Sequence, residues 1–250
     1  MVIDTYNNVW RAAEEGASAY LTSETYSVEM MLEDMDAGGV DMAVGCSLGQ
    51  KTDNEYLAEV MQKYPRRIIG FGQVNPRQPD AVQVVRRCME EYGLKGLKLH
   101  PTMHGYHFVD HPLLDPIFEV MSDYKLPVLV NALDDPFVTP LGIEEIARNF
   151  PDVPVLIAHM GTVWNVVEAL LVAGRNDNIY LETSATMLLD VRMAYRQVGA
   201  RRMVMGTDWP AADFELERLK LRKGIPNEDD LQLVEGENMR RLLRLDEWFQ

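Results

Sequence analysis

Cysteine is almost missing from this chain: Cys46 and Cys88 are the only two in 250 residues. A disulfide framework is therefore not expected, and reduced thiols in a cytosolic protein are the simpler reading. Basic residues are also scarce, 24 Lys plus Arg against 39 Asp plus Glu, for a formal charge of −15. Such a surface repels nucleic acid and anionic membranes and favours a small-molecule partner. No apolar run approaches the roughly 20 residues that span a bilayer. The opening MVIDTYNNVW has no basic segment ahead of an apolar stretch, so it is not expected to be a signal peptide or an anchor. Cytoplasm follows by elimination. No internal repeat or low-complexity tract is present.

What the chain does have is an ordinary globular balance, 47% hydrophobic and 25% charged, at a length typical of one domain spanning residues 1–250. Short apolar runs alternate with longer amphipathic stretches, the pattern of βα units in a parallel sheet. The expected strands are Val2–Asp4, Val40–Cys46, Ile68–Val74, Gly96–His100, Val128–Asn131, Val155–His159, Ile179–Thr183 and Met203–Asp208. Helices are expected between them, with Glu228–Leu245 as the last. This order predicts an α/β fold, a single (β/α)8 TIM barrel with room for distortion, a doubly wound open sheet being the alternative.

Several expected strands end in polar residues: Asp4 with Tyr6 and Asn8, then His100, Asn131, His159, Thr183 and Asp208. In a barrel these converge on one mouth, where the active sites of this fold sit. Lys98 and His100 alternate on one strand and so share a face. Together they suit a substrate carboxylate, while a buried pair between Lys98 and Glu182 is the structural alternative. Four histidines, His100, His104, His107 and His111, lie close together in a loop-like stretch and offer either a relocated metal site or a substrate loop. Trp164 and Trp209 follow His159 and Asp208 and are candidates to wall a pocket for a flat ring. Arg192, Arg196, Arg201 and Arg202 read as surface charge near a helix end.

The segments GLKGLKLHP (93–101), HPLLDPIFEVMSDYKLPVLVNA (111–132), PVLIAHMG (154–161), NIYLETSAT (178–186), RMVMGTDWP (202–210) and ENMRRLLRL (237–245) resemble, in order, the amidohydrolase-related family. That family includes aminocarboxymuconate-semialdehyde and resorcylate-type decarboxylases. The resemblance implies zinc or another divalent metal held by a His-x-His pair on the first strand, histidines ending the fifth and sixth, and an aspartate ending the eighth. In this chain three of those five positions are replaced, by Tyr6, Asn8 and Asn131. Only His159 and Asp208 remain as metal ligands if a metal is bound, and a catalytic zinc site usually has three protein ligands and a water. Zinc lowers the pKa of bound water from about 15.7 to about 7, a gain on the order of 12 kcal/mol that two ligands would not secure.

The resemblance thus implies an amidohydrolase-like hydrolase or carboxy-lyase acting on a small carboxylated cyclic or conjugated substrate, by hydrolysis or non-oxidative decarboxylation, without the family's tightly bound zinc. Asp208 is the expected base and His159 its partner, both catalytic. Lys98, His100, Tyr6, Asn8, Asn131 and Trp209 are the expected substrate-binding residues. The alternative is a catalytically silent barrel that binds a metabolite or a partner protein. A homodimer is only the general expectation for soluble enzymes.

Overall fold

The structure is a computed structural model that describes residues 1–11, 26–48 and 52–248. Eight parallel strands follow one another around a barrel in chain order. They are β1 (Ile3–Asn8), β2 (Met42–Cys46), β3 (Ile68–Gln73), β4 (Leu97–Leu99), β5 (Val128–Val130), β6 (Val155–Ile157), β7 (Ile179–Glu182) and β8 (Met203–Val204). Closure is made beyond the short β8, where Thr5 N–H donates to Met205 O, Asn8 N–H to Trp209 O and Asp208 N–H to Tyr6 O, each at 2.8 Å. The expected TIM barrel is the fold, and the open sheet is excluded.

Helices α1 (Val28–Gly38), α2 (Asn54–Lys63), α3 (Ala81–Glu90), a single turn α4 (Pro101–His104), α5 (His111–Tyr124), α6 (Pro140–Asn149), α7 (Val166–Arg175) and α8 (Leu188–Gln197) cover the outside. In α3 the buried residues are Ala81, Val85, Cys88 and Met89, the i, i+4, i+7, i+8 stripe of a helix with one face on a sheet. The strands alternate likewise. Ala43, Leu97, Leu99, Val128, Val130, Val155 and Ile157 face the helices. Met42, Val44, Ile69, Phe71, Leu129, Leu156, Tyr180 and Val204 fill the barrel interior. Each fully buried Leu or Ile contributes about 1.5–3 kcal/mol through the water it sheds.

Two findings differ from the sequence reading. The helix after β8 is α9 (Phe214–Gly224), which packs between α1 and α8. The expected last helix over Glu228–Leu245 is present as one helical run, α10 (Glu228–Gln232), a wide π-helical turn over Leu233–Glu237 and α11 (Asn238–Leu242). Met239, Leu242, Leu243 and Leu245 from this stretch pack with Ile3, Met42 and Ile69 and form the barrel floor. Sequence periodicity missed α9 because its buried face includes Glu217 while Leu216 and Leu219 are exposed.

The second difference is in β1, expected over Val2–Asp4 but running to Asn8. Its register to β2 slips between Asp4 and Asn7, a bulge of one extra residue. A bulge reverses the inside–outside alternation beyond it. Ile3 faces the interior before it, and Tyr6 and Asn8 face the interior after it.

Candidate active site

A cavity of about 540 Å³ opens at the carboxyl ends of the strands, with Tyr6, Asn8, His100, Asn131, His159 and Asp208 among its lining residues. Its size is that of a pocket for a small ring-sized molecule. Leu48, Met103, Leu133 and Ala211 add apolar wall. At the rim, Asp134 accepts the backbone N–H groups of Trp164 and Asn165 at 2.7 and 3.1 Å, and Asp135 accepts that of Phe137 at 2.9 Å, so both rim carboxylates are already engaged.

On one side stands Asp208, with a backbone φ of 61°. That is the left-handed region, which costs a non-glycine residue energy and often marks a site where the fold holds a side chain in place. Asp208 Oδ1 accepts Asn8 Nδ2 at 2.8 Å, and Asn8 Oδ1 accepts Lys98 Nζ at 3.2 Å. This chain of donors fixes which end of the Asn8 amide is which. Burial pushes the Asp208 carboxyl up to about 6, opposed by the Lys98 ammonium and the Asn8 amide. A carboxylate poised there exchanges protons readily near neutral pH.

Lys98 is fully buried beneath Asn8 and Tyr6. Its ammonium lies over the Tyr6 ring at 4.6 Å and also reaches Ser47 O at 3.4 Å. Among the described residues no carboxylate stands within ion-pair distance, so the pairing with Glu182 considered from the sequence is not made. Burial pulls its pKa down. It is not a lining residue; its charge acts on the cavity through Asn8 and Tyr6.

Opposite lies His159, also at positive φ (60°) and 1% exposed. Its Nε2 faces Asn131 Nδ2 at 3.2 Å and its Nδ1 faces the Ser184 hydroxyl at 2.8 Å. Burial and the Lys98 charge hold it down to about 3, so it stays neutral across the ordinary pH range. No hydrogen bond joins it to Asp208. The two groups expected to be partners are each held by a separate asparagine.

His100 caps α4, its Nδ1 accepting Met103 N–H at 3.3 Å, which leaves Nε2 as the protonated nitrogen of the neutral ring. The other loop histidines do not gather. His104 is buried with neither ring nitrogen hydrogen-bonded, His107 packs on Phe137 at 5.0 Å, and His111 lies 2.9 Å from Asp115 and 3.2 Å from Glu145. Trp209 is turned from the cavity, its indole N–H donating to Asp34 at 2.8 Å. Trp164 is 84% exposed and walls nothing. Cys46 is buried, its thiol pushed up to about 12, as inert packing requires.

The residues present do not fit a resident zinc ion. Among the described residues no group of three or more His, Cys, Asp or Glu is placed to hold a metal. Of the family's ligand positions only His159 and Asp208 keep a ligating side chain, fewer than the three protein ligands a catalytic zinc site takes, and Asn131 and Asn8 stand against His159 Nε2 and Asp208 Oδ1 in place of further ligands.

Sequence reasoning passed over the support behind His159. Glu182 accepts the His159 backbone N–H at 3.0 Å, the Ser184 N–H at 2.7 Å and the Ser184 hydroxyl at 2.7 Å. Burial pushes this carboxyl up to about 8 and those donors pull against it. The signal was the same strand-end alternation that singled out Lys98 and His100, here Glu182-x-Ser184.

Comparisons with known proteins find similar sequences and the same fold. A 2-amino-3-carboxymuconate-6-semialdehyde decarboxylase of Dictyostelium discoideum is 38% identical over 80 residues, 31% of this chain and only 22% of that protein. A gamma-resorcylate decarboxylase of Polaromonas is 22% identical over 252 residues, covering 77% of this chain and 76% of that one. The solved 2,6-dihydroxybenzoate decarboxylase of Rhizobium superposes with a TM-score of 0.78 at 16% identity, over 98% of this chain and 99% of that one, which speaks for the fold. The Amidohydrolase family model matches residues 3–245, and the chain belongs to that family.

Proposed function

We propose that this barrel is a cytoplasmic enzyme that removes a carboxyl group, without oxidation, from a small conjugated or aromatic carboxylate, with hydrolysis of an activated carboxylated ring compound as the neighbouring reaction. The observation that carries the reading is Asp208, held near pKa 6 on the wall of a cavity of about 540 Å³, above the buried Lys98 ammonium. The relatives' names give the substrate class, as carboxylated rings or conjugated acids.

The Lys98 charge, passed on through Asn8, and the protonated Nε2 of His100 draw a substrate carboxylate into the cavity. The apolar wall takes the ring. Asp208 exchanges the proton at the carbon that loses its carboxyl group, and the conjugated system holds the electron pair in the interval. Neutral His159 accepts a hydrogen bond from a substrate hydroxyl through Nε2. Tyr6, whose phenol burial keeps protonated, donates to the same region. No step passes through a metal.

The test is carbon dioxide release from a panel of hydroxybenzoates and conjugated dienoic acids, comparing the natural chain with Asp208→Asn. We expect turnover of at least one acid and a fall of roughly 10²–10⁴ in kcat for the variant. Tight binding across the panel with no release or hydrolysis would make the protein a silent binding barrel and overturn the proposal.

A further inference from the structure

We propose that the outer face of α7, with the neighbouring start of α8, is a docking surface for a second copy of this chain, and that Trp164 is its anchor. An ordinary barrel helix has one apolar and one charged face, as in α3, where Arg86, Arg87 and Glu90 are exposed opposite the buried stripe. Helix α7 breaks that rule. Val166, Ala169, Leu170, Val172 and Ala173 pack inward. Trp164, just ahead of the helix, is 84% exposed, and Val167 and Leu171 follow on the outside at 67% and 53%. Glu168 is the one charged residue from Trp164 to Gly174, and its carboxylate accepts the Leu141 backbone N–H. A helix that is apolar all round is one that is covered on both sides.

The apolar surface continues onto the next helix. α8 packs beside α7, and at its start Met187 and Leu189 are 56% and 60% exposed. With Val163, itself 53% exposed, these side chains present roughly 700 Å², near the about 800 Å² per partner of a standard stable interface. Single exposed apolar residues are ordinary, as with Leu216 and Leu219 on α9, which stand among Glu215, Arg222 and Lys223. A continuous patch with so little charge is not. The fold also holds the anchor out at a cost. Val163, a β-branched residue, sits at φ 60°, and beyond it the two carboxylate oxygens of Asp134 accept the N–H groups of Trp164 and Asn165, fixing the strained turn.

Charge and shape select the partner. At −15 the chain repels anionic membranes and nucleic acid, and a convex helix face encloses no small molecule. Two copies also repel each other except where charge is missing, which is here. A two-fold axis at the level of Ala169 pairs two α7 helices antiparallel. Each Trp164 then meets the partner's Gly174, and each Val167 the partner's Leu171. The largest side chain falls on the smallest, at a glycine where a Cβ would find nothing within 4 Å.

The experiment is sedimentation velocity of the full chain over a concentration series, with hydroxyl-radical footprinting at its two ends. The natural chain should be a dimer at about 10 μM, and Trp164 and Met187 should lose reactivity as the dimer forms. Trp164→Glu should weaken association by roughly 10²-fold or more, as expected of a central tryptophan, and Leu171→Glu should do the same. Leu216→Glu, on α9, should leave association unchanged. Should a variant fail to fold, the footprint of the natural chain decides. No measurement involves substrate, so the outcome is independent of the proposed function. A natural chain that stays monomeric at about 100 μM, a dimer that persists in both Trp164→Glu and Leu171→Glu, or protection of another face would overturn the proposal.

Discussion

Asn8 and Asp208, 200 positions apart in the chain, share a 2.8 Å hydrogen bond from Nδ2 to Oδ1 at the seam where β1 meets the continuation of β8. The other end of the Asn8 amide is held by the Lys98 ammonium. A cation thus acts on the Asp208 carboxylate through an uncharged relay rather than by contact.

Lys98→Met removes that relay's source of charge while keeping most of the side-chain volume. Hydrogen bonds involving a charged group are worth about 1.5–3 kcal/mol, so kcat/KM for an anionic substrate should fall by roughly 10-fold to 150-fold. The melting temperature should hold or rise, because the lost ammonium is buried with no carboxylate against it. A marked fall in melting temperature with unchanged kinetics would make Lys98 a packing residue.

Asp208 ties activity to pH. Burial raises its folded pKa from the ordinary value of 3.8 to about 6, so the rate profile should bend near pH 6. Lys98 opposes the rise, and in Lys98→Met the bend should move to higher pH. A bend that stays put would separate Asp208 from the titrating step.

The same shift has a signature in stability. The folded chain binds this proton more tightly than the unfolded one, so the stabilisation is complete below about pH 4 and lost as pH rises through about 6. Asp208→Asn, which has no such proton, should gain on the natural chain by on the order of 3 kcal/mol between pH 4 and pH 8. Urea melts of both proteins at the two pH values measure it. Equal denaturation midpoints for the two proteins at both pH values would contradict the buried, raised carboxyl.

Gly206→Ala tests how tightly Glu182 is seated. Its Cβ would lie 2.0 Å from the carboxyl oxygen, an overpacking expected to cost about 1–3 kcal/mol. Combining it with Glu182→Ala should recover much of that loss in a double-mutant cycle. Additive effects would show that the two residues do not compete for space.

The barrel was legible because seven of its strands are apolar runs whose two-residue alternation follows from facing helices on one side and a packed interior on the other. Asp208, His159, Asn131 and His100 were legible for the related reason that a polar residue at the end of such a run stands at the mouth. What the sequence concealed depended on interruptions of period. Tyr6 and Asn8 are expected at the mouth from their place after the first apolar run, but the bulge after Asp4, the register slip that turns both inward, is announced by no residue pattern. Helix α9 hid because Glu217 turns inward, where Thr183 Oγ1 donates to it at 2.6 Å and Lys220 pairs with it at 2.7 Å. Trp209 was misplaced because proximity in sequence to Asp208 says nothing of the direction taken after a residue with φ of 61°.

The floor of the barrel has a consequence for how the chain is made. Met239, Leu242, Leu243 and Leu245 seal an interior whose first wall, Ile3 on β1, is synthesised more than two hundred residues earlier. β1 also waits for the segment after β8 before its second edge is paired. Until the ribosome releases that last stretch, the nascent protein carries an unsealed apolar tube and a bare strand edge, the two surfaces on which chaperones act and from which aggregation starts. A nonsense change or proteolytic nick that removed the floor would leave every cavity-lining residue in the chain and still yield a protein for the quality-control machinery rather than for substrate.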